Sequence, residues 1–507
     1  MTLLIKNVQI LGGSKPFTEP CDVFVSGEKI SAIGNFPNKK ADITVDGQGA
    51  YLSPGFIDVD TDSDHYLSLF EHPEQEDFLR QGVTTIFGGM CGASLAPLLY
   101  GGLESFEKWG ETDRINVNWH SVDELLETLS RRKLGVNFGT LVGHTTIRRA
   151  IIGETPRDLT KNEFKVMGEI VKRSLKEGGF GVSTGLAYVH AKNTPYSELR
   201  FLADLVKGYG GVYATHLRET GREVAAAVNE TIRLAEETGV KTLISHFTPV
   251  LGAEREYENA LHAIASLDDE VDLHFDAYPS SSSLLALYTF LPEWAQTGGI
   301  EVMLANIKDE WLAKKIKKDM PHLDEEHFVI AQAPGNDFLV GKTLAEIKNL
   351  YGMKDGRDAL FKLMATMRMR GGVLYRNIAS ETTKLALKDL HSLIASNAPS
   401  FSDTFRGRQL KSERTTRTFT DFLKLVEDGS LMPLEDAIAK LTSIPAKFFG
   451  LAQRGTVTEG YFADLTCFKG AEVRFTVVNG QLAMLDGGPK EIRAGKALRH
   501  VAPKSHA

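Results

Sequence analysis

The sequence has few cysteines and no long apolar run. Only Cys21, Cys91 and Cys467 occur among 507 residues, a set too sparse for a disulfide framework and typical of a reducing compartment. No stretch of about 18 apolar residues is present, so a membrane helix is not predicted. The opening residues, MTLLIKNVQILGG, lack a charged leader and a cleavage-like site. We therefore expect a cytoplasmic protein without a membrane partner.

Basic clusters are also lacking. The chain has 58 basic and 66 acidic residues, for a net charge of −8, so a nucleic-acid partner is not expected. The 42% of hydrophobic residues excludes a disordered chain and supplies a large core. A small-molecule substrate is the expected partner, and the sequence leaves oligomerisation open.

The two ends of the chain differ from its middle. Short β-branched segments separated by Gly and Asp fill both ends, which predicts one small β-domain made from residues 1–54 and 450–507. Between them, over 55–449, short apolar strands alternate with amphipathic helical stretches. The exception is 281–350, where several helical segments occur between two predicted strands. We interpret that stretch as an inserted α/β subdomain.

Eight strands are predicted in the middle of the chain, and they indicate a parallel sheet closed on itself. Their apolar residues are continuous, as expected when both faces of a strand are buried. The predicted strands are 55–60, 84–89, 136–143, 179–185, 211–216, 242–247, 271–278 and 392–397. Eight strand–helix units favour a (β/α)₈ TIM barrel over an open sheet. The fold class is therefore α/β, and function is expected at the C-terminal ends of the strands.

Polar residues at those ends are the candidates for chemistry. Cys91, His216 and His246 follow three different strands, and a thiolate with two imidazoles favours Zn²⁺ with an open coordination position. Asp60 and Asp62 alternate along the first strand and face the same side, as cation ligands or a general base. Each type also has an ordinary role, since histidines and cysteines are often buried core residues and acidic runs often solvate loops.

Arg414, in KSERTTRTF, also has two interpretations. A guanidinium offers a rigid fork that binds a carboxylate through two nitrogens. At the predicted start of a helix it is equally compatible with a surface residue.

The chain resembles the D-aminoacylase (N-acyl-D-amino-acid deacylase) branch of the amidohydrolase superfamily. The resemblance lies in ordered stretches along nearly the whole chain: LSPGFIDVDTDSD, QGVTTIFGGMCGASLAP, NFGTLVGHTTIR, GVSTGLAY, GVYATHLRETG, LISHF, DAYPSSSSLLALYTFLPEWA, SIPAKFFGL and RGTVTEGYFADLTCF. It implies a barrel of the metal-dependent hydrolase type, with a tightly held zinc on Cys91, His216 and His246. It also implies that Arg414 holds a substrate α-carboxylate. We add His144, Tyr188 and Tyr278 as candidate substrate-binding residues.

This chain departs from the family pattern at three candidate catalytic positions. Asp60 and Asp62 stand where the family has a His-x-His pair that binds a second metal, and Asn397 replaces its catalytic aspartate on strand eight. Ser412 and Glu413 also replace a histidine and a proline. The second-metal site is therefore rebuilt or lost, and one zinc is expected. No lysine ends strand four, so a carbamylated-lysine bridge has no candidate.

The function predicted from the sequence is metal-dependent hydrolysis of the linear amide of an N-acyl amino acid, in an altered active site. Asn397 has no basic group near neutral pH, so the proton acceptor moves to Asp60 or Asp62. The alternative is a different reaction on this scaffold, such as cyclic amide or lactone hydrolysis or non-hydrolytic chemistry. A further alternative is a catalytically impaired binding or regulatory homologue that keeps the zinc. Metal content and a hydrolysis screen discriminate between them.

Overall fold

The molecule begins with five short strands that pack on a core of their own. A computed structural model describes residues 1–13, 19–99, 103, 106, 112, 115–153, 157–320, 323–402 and 409–503. The first strands are β1 (Thr2–Ile10), β2 (Cys21–Ser26), β3 (Lys29–Gly34), β4 (Ile43–Asp46) and β5 (Tyr51–Pro54). β2 pairs antiparallel with β1 and β3, whereas β4 and β5 run parallel to β1. Alternate side chains such as Leu3 and Ile5 enter the core, as the two-residue period of a strand requires.

Strands and helices then alternate through the first seven barrel strands. The strands are β6 (Phe56–Asp58), β7 (Val83–Gly88), β8 (Asn137–Thr140), β9 (Val142–Gly143), β10 (Gly181–Gly185), β11 (Val212–His216), β12 (Lys241–Ile244) and β13 (Leu273–Ala277). The helices are α1 (Ser68–Glu71), α2 (Glu76–Arg80), α3 (Val122–Arg132), α4 (His144–Ile152), α5 (Lys161–Lys176), α6 (Tyr196–Gly208), α7 (Val224–Thr238) and α8 (Glu254–Ala265). β8 and β9 are one barrel strand interrupted at Leu141. Capping boxes at Ser121 and Thr160 fix the starts of α3 and α5.

An α/β layer follows β13. It contains β14 (Ser282–Ala286), α9 (Gly299–Lys308), α10 (Glu310–Asp319), β15 (Phe328–Gln332), α11 (Leu344–Leu350), α12 (Gly356–Thr366) and β16 (Gly372–Arg376), with 3₁₀ turns at Leu287–Phe290, Glu293–Ala295 and Asp337–Leu339. The three strands form a separate antiparallel sheet in the order β14–β16–β15. This sheet extends to Arg376, since its last strand in the chain, β16, lies between β14 and β15. The predicted end of the insertion at residue 350 stays a prediction.

The last barrel strand closes the barrel. The elements are α13 (Ser380–Lys388), β17 (Ser392–Ile394), α14 (Glu413–Glu427), α15 (Leu434–Leu441) and α16 (Ser443–Phe448). β17 pairs parallel with β13, and the backbone N–H of Asn397 donates to the Asp60 carbonyl at 2.8 Å. The end of the last strand therefore lies beside the end of the first.

The C-terminal strands return to the N-terminal sheet. They are β18 (Leu465–Lys469), β19 (Glu472–Val478), β20 (Gln481–Leu485) and β21 (Gly488–Pro489). β18 pairs antiparallel with β5, so one nine-stranded sheet contains strands from both ends of the chain. The predicted α/β fold, a TIM barrel with a small β-domain, is confirmed. In the described parts of the chain, no helix has both the length and the apolar character needed to cross a bilayer.

Aromatic side chains fill the barrel interior. Phe87 of β7 stacks on Phe449, just after α16, with ring centroids 4.0 Å apart, and meets Phe180 edge-on at 5.0 Å. All three rings are buried among inward-facing aliphatic residues of the other strands. The interior is therefore packed, and chemistry is confined to the ends of the strands.

Candidate active site

Cys91, His216 and His246 meet at the C-terminal end of the barrel. His216 is the last residue of β11, while Cys91 and His246 follow β7 and β12 within three residues. Their ligand atoms all lie within 4.8 Å of one another, and Cys91 Sγ is 3.2 Å from His246 Nε2. The three residues that the sequence predicted as zinc ligands are thus adjacent, although they are separated by up to 155 positions in the chain.

The backbone at this site is held in an unusual conformation. Cys91, His246 and Asn397 have φ values of 53°, 37° and 43°, in the left-handed region that costs non-glycine residues of order 1–3 kcal/mol each. Gly89, two residues before Cys91, has a φ of 75°, and a Cβ on it would lie 2.1 Å from the carbonyl oxygen of Leu141. Only glycine fits that close approach. Strained residues of this kind are typical of functional sites, because the surrounding structure must hold them in place.

The protonation preferences of the two histidines fit a metal, whereas the thiol must lose its proton to become a ligand. Burial lowers the pKa of His216 to about 4 and that of His246 well below its usual value, so both rings are neutral, as ligands must be. Burial, reinforced by nearby carboxylates, raises the pKa of the Cys91 thiol. The Nδ1 atom of His216 is buried without a hydrogen-bond partner among the described residues. A soft cation would satisfy this donor set of one sulfur and two nitrogens.

Buried carboxylates lie beneath the cluster. Asp58 of β6 accepts from the Ser396 backbone N–H at 3.1 Å, and Asp276 of β13 accepts from the His246 backbone N–H at 2.9 Å. The latter bond fixes the position of a candidate ligand. Burial raises the pKa of Asp58 to about 8 and that of Asp60, with help from Asp62, to about 7.

Asn397 connects Asp60 to Arg414. The Asn397 Nδ2 donates to Asp60 Oδ1 at 3.3 Å, and Arg414 Nη2 donates to Asn397 Oδ1 at 2.7 Å. Only a group with both a donor and an acceptor can make this connection, and an amide is such a group. The side chain of Asn397 is therefore oriented by its two neighbours.

Arg414 is almost fully buried in the first turn of α14 and lines the site. Its Nε donates to the Ser396 carbonyl at 3.0 Å, and its Nη2 donates to the backbone carbonyl and to the side-chain Oδ1 of Asn397. Among the described residues, Nη1 has no acceptor. Because Ser396 and Asn397, which follow β17, engage Nε and Nη2, Nη1 is the nitrogen left to face a ligand. The carboxylate-binding role of Arg414 stays a prediction.

Asp62 makes a different contact from Asp60. Its Oδ1 lies 3.0 Å from His65 Nδ1, and both side chains line the cavity with 14% and 5% of their side-chain surface exposed. Asp60 is fully buried and is not part of the lining. The two carboxylates that the sequence treats as equivalent thus differ in access.

A cavity of about 380 Å³ opens above the cluster. Tyr188 stacks obliquely on His216 with ring centroids 5.1 Å apart, and Tyr278 lies under the Arg414 guanidinium at 4.3 Å. The α/β layer that follows β13 supplies much of the cavity wall that faces these residues, through Ser283, Leu284, Leu285, Ala286, Thr289, Gln296 and Asn377. Tyr188, Tyr278, Arg414 and Asn397 are therefore at the cavity, as predicted.

His144 is not on the cavity wall. Its Nε2 pairs with Glu198 at 2.7 Å, Glu198 also accepts from Arg148 at 3.1 Å, and the imidazole is completely buried. α4 begins at this residue, and the ring packs toward Glu198 of α6 rather than into the cavity. The substrate-binding role of His144 stays a prediction that its position does not support.

Comparison with known proteins identifies relatives of the chain. The Amidohydrolase family profile matches residues 405–483. The chain is 29% identical to D-aminoacylase of Alcaligenes xylosoxydans xylosoxydans over 484 residues, which cover 94% of this chain and 89% of that protein. A crystal structure of D-aminoacylase, described as defining a novel subset of amidohydrolases, superposes with a TM-score of 0.78 at 26% identity, covering 98% of this chain and 99% of that one. The homologues of this chain over nearly its full length include D-aminoacylase and related N-acyl-D-amino-acid deacylases.

A second solved structure extends the comparison. N-acyl-D-glutamate deacylase from Bordetella bronchiseptica, complexed with zinc and a phosphonate inhibitor, superposes with a TM-score of 0.80 at 24% identity over 98% of this chain and 99% of that one. The predicted resemblance to the D-aminoacylase branch is confirmed, and these homologues are metal-dependent amidohydrolases. The roles of Asp60, Asp62 and Asn397 stay a prediction.

Two residues at the candidate site received no role from the sequence. His65 lies three positions after Asp62, and this Asp-x-x-His spacing within a polar turn was the available signal. Asp276 is visible as an acid near the end of a predicted strand, but its bond to the backbone of His246 depends on how two strands lie side by side. The cavity-wall residues of the α/β layer after β13 belong to no sequence motif that would mark them as part of a site.

The buried acids of the site predict a pH-dependent stability. Because the pKa values of Asp58 and Asp60 rise from about 4 in the unfolded chain to about 8 and about 7, the folded protein binds more protons than the unfolded chain between these values. Below about pH 6.5 the lowered pKa values of His216 and His246 act in the opposite direction, so stability is expected to fall as pH rises from about 6.5 to 8, where both histidines are neutral in both states. We expect the melting temperature of the metal-free protein, measured by calorimetry with a chelator, to fall from about pH 6.5 to about pH 8.

Two variants check the origin of this dependence. Asp58→Asn is expected to flatten the pH dependence of the melting temperature. Asp324→Asn is the control: its exposed carboxyl has a lowered pKa because of a hydrogen bond from His327, so it titrates below this range. A melting temperature that stays constant or rises from about pH 6.5 to about pH 8 would contradict the prediction.

Proposed function

We propose that this protein is a zinc-dependent amidohydrolase that cleaves the amide bond of an N-acyl amino acid. The convergence of Cys91, His216 and His246 within 4.8 Å carries the proposal. Three residues from separate strand ends, two of them in left-handed backbone conformations, have no common structural reason to meet. The D-aminoacylase relatives support the type of reaction, and their names support a D-amino acid as the substrate.

The zinc is proposed to be a single ion held by these three residues. When bound, such an ion polarises the amide carbonyl and lowers the pKa of water. The chain has one thiol and two neutral imidazoles for it, while the nearby Asp60 already accepts from Asn397. We further place the protein in the cytoplasm, in agreement with its three free cysteines.

The cavity residues orient the substrate. Arg414 offers Nη1 to the α-carboxylate, and Tyr278 supports the guanidinium from below. Tyr188 lies against His216 and limits the space beside the metal site. The scissile amide is thereby held between Arg414 and the three candidate ligands, and all four residues line one cavity.

The proton acceptor belongs to the first barrel strand. Asn397 cannot take a proton near neutral pH, and its side chain already bonds Asp60 and Arg414. Asp60 and Asp62, which follow that strand, are the two carboxylates that we propose for this role. One of them takes a proton from the water that attacks the carbonyl carbon and returns it to the nitrogen as the C–N bond breaks.

Metal analysis and a hydrolysis screen test the proposal together. We expect about one zinc per chain by elemental analysis, and release of free amino acid from a panel of N-acetyl-D- and N-acetyl-L-amino acids, with preference for the D-isomers. One zinc per chain with no turnover of any amide in the panel would favour the binding or regulatory alternative. Absence of zinc after zinc-supplemented expression would contradict the metal assignment itself.

A further inference from the structure

The turn after the first barrel strand presents one carboxylate to the cavity in a fixed orientation. Asp62 Oδ1 lies 3.0 Å from His65 Nδ1, and Oδ2 has no hydrogen-bond donor among the described residues. One oxygen of Asp62 is thus held by the turn while the other remains available on the cavity wall. Asp60 has no such access, because it is fully buried.

The hydrogen bonds of His65 define its charge. Nδ1 faces the Asp62 carboxylate, and Nε2 faces the carbonyl oxygen of Ala93 at 3.3 Å. Both of these atoms are acceptors, and a neutral imidazole has one N–H only, so both contacts are satisfied only by an imidazolium. Burial lowers the pKa of His65, but the carboxylates of Asp64 and Asp62 outweigh it and raise that pKa to about 10.

We propose that Asp62 is the general base of this site and that His65 is a positioning residue, a permanent cation that keeps Asp62 ionised and aimed at the cavity. The assignment rests on the proposed function. Asp62 takes one proton from the attacking water as the water oxygen bonds to the carbonyl carbon. It then gives that proton to the amide nitrogen as the C–N bond breaks, which yields a carboxylic acid and an amine.

Other titratable groups surround the pair. The titratable and charged groups that face it or adjoin the same wall are Asp60, Asp64, Tyr66, Cys91, Tyr188, His216, His246, Tyr278 and Arg414. Burial raises the pKa of Asp60, Cys91 and the tyrosines, which favours their neutral forms, and lowers the pKa of both histidines. At Asp64 the charge of His65 opposes the effect of burial. Arg414 is directed to Asn397 rather than to Asp62. The imidazolium of His65 is therefore the cation in direct contact with Asp62.

Substitution of Asp62 tests the base. Asp62→Asn keeps the size of the side chain but removes the proton acceptor, and loss of a positioned base typically lowers rate by about 10²- to 10⁴-fold. We expect kcat to fall by that factor while KM and zinc content stay close to those of the wild type. Asp60→Asn is the comparison, with a smaller expected loss of kcat because Asp60 does not reach the cavity.

Substitution of His65 tests the positioning role. His65→Gln keeps hydrogen-bonding groups but removes the charge, and loss of an adjacent cation raises the pKa of a carboxyl by roughly 1 unit or more. We expect the acidic limb of the kcat/KM profile to move to higher pH by that amount, an effect that loss of packing alone does not produce. His327→Gln is the matched control, because His327 and Asp324 have the same i, i+3 spacing on the exposed surface. It should leave both rate and pH profile unchanged.

Nitrogen-15 NMR of ring-labelled histidine gives a readout independent of turnover. In the protein as purified, we expect one ring with both nitrogens protonated at pH 8, and we expect this signal to be missing from His65→Gln. A His65 ring with one unprotonated nitrogen at pH 7 would overturn the cation assignment, and full rate in Asp62→Asn would overturn the base. If the wild type hydrolyses no N-acyl amino acid, the base assignment fails together with the proposed function, and the NMR signal alone decides the state of His65.

Discussion

Replacing Cys91 by alanine is expected to remove the bound zinc and to lower kcat/KM for an N-acyl-D-amino acid by about 10³-fold or more. Two imidazoles remain in this variant, and two ligands hold zinc much more weakly than three. Polarisation by a metal ion contributes several kcal/mol to such reactions, and about 4 kcal/mol corresponds to a factor of 10³. Zinc content by elemental analysis and the steady-state rate constants are the two measurements.

Cys467→Ala is the control for this variant. Cys467 is also fully buried, but it lies in β18, in the core of the small β-domain. Its truncation is expected to lower stability by about 1 kcal/mol through the small cavity it leaves, with no loss of zinc. Equal zinc content in wild type and Cys91→Ala would contradict the assignment of Cys91 as a ligand.

Replacing Arg414 by glutamine is expected to raise KM for substrates with a free carboxylate by about 10- to 100-fold. A hydrogen bond to a charged group contributes about 1.5–3 kcal/mol, and Nη1 is the guanidinium nitrogen left for such a bond. The comparison substrate is the primary amide of the same N-acyl amino acid, which has no carboxylate. Its KM should change much less, so the preference for the carboxylate should disappear.

Arg148→Lys controls for the loss of a buried arginine. Arg148 is also buried and bonds Glu198 away from the cavity, so this variant should lose stability without a change in carboxylate preference. If Arg414→Gln raises KM equally for the acid and the amide, the loss reflects disturbance of Asn397 rather than loss of a carboxylate contact.

Much of the fold was predictable because barrel strands have a distinctive local pattern. Continuous apolar runs such as TTIFGG and TLISHF are buried on both faces, and each predicted barrel strand overlaps a strand of the structure. The polar residue after such a run lies at the C-terminal end of the barrel by topology alone. Cys91, His216 and His246 could therefore be placed together without knowledge of any distance.

The differences between neighbouring residues at the site could not be predicted in the same way. Alternation along a strand places Asp60 and Asp62 on one side, yet the chain turns after Asp58, so Asp60 points into the protein and Asp62 into the cavity. The bonds of Arg414 to strand eight depend on how α14 returns to the barrel. His144 was assigned by its position after a strand, but a helix begins there and turns its ring toward Glu198.

The amide of Asn397 makes residues 60 and 397 interdependent. Arg414 holds the amide oxygen, so the amide nitrogen must face Asp60. An aspartate at 397 would set two carboxylates against each other, and a histidine at 60 that donates a proton would oppose the donor of Asn397. Either substitution alone therefore leaves a mismatched contact, and the effects of changes at 60 and 397 on activity should be strongly non-additive.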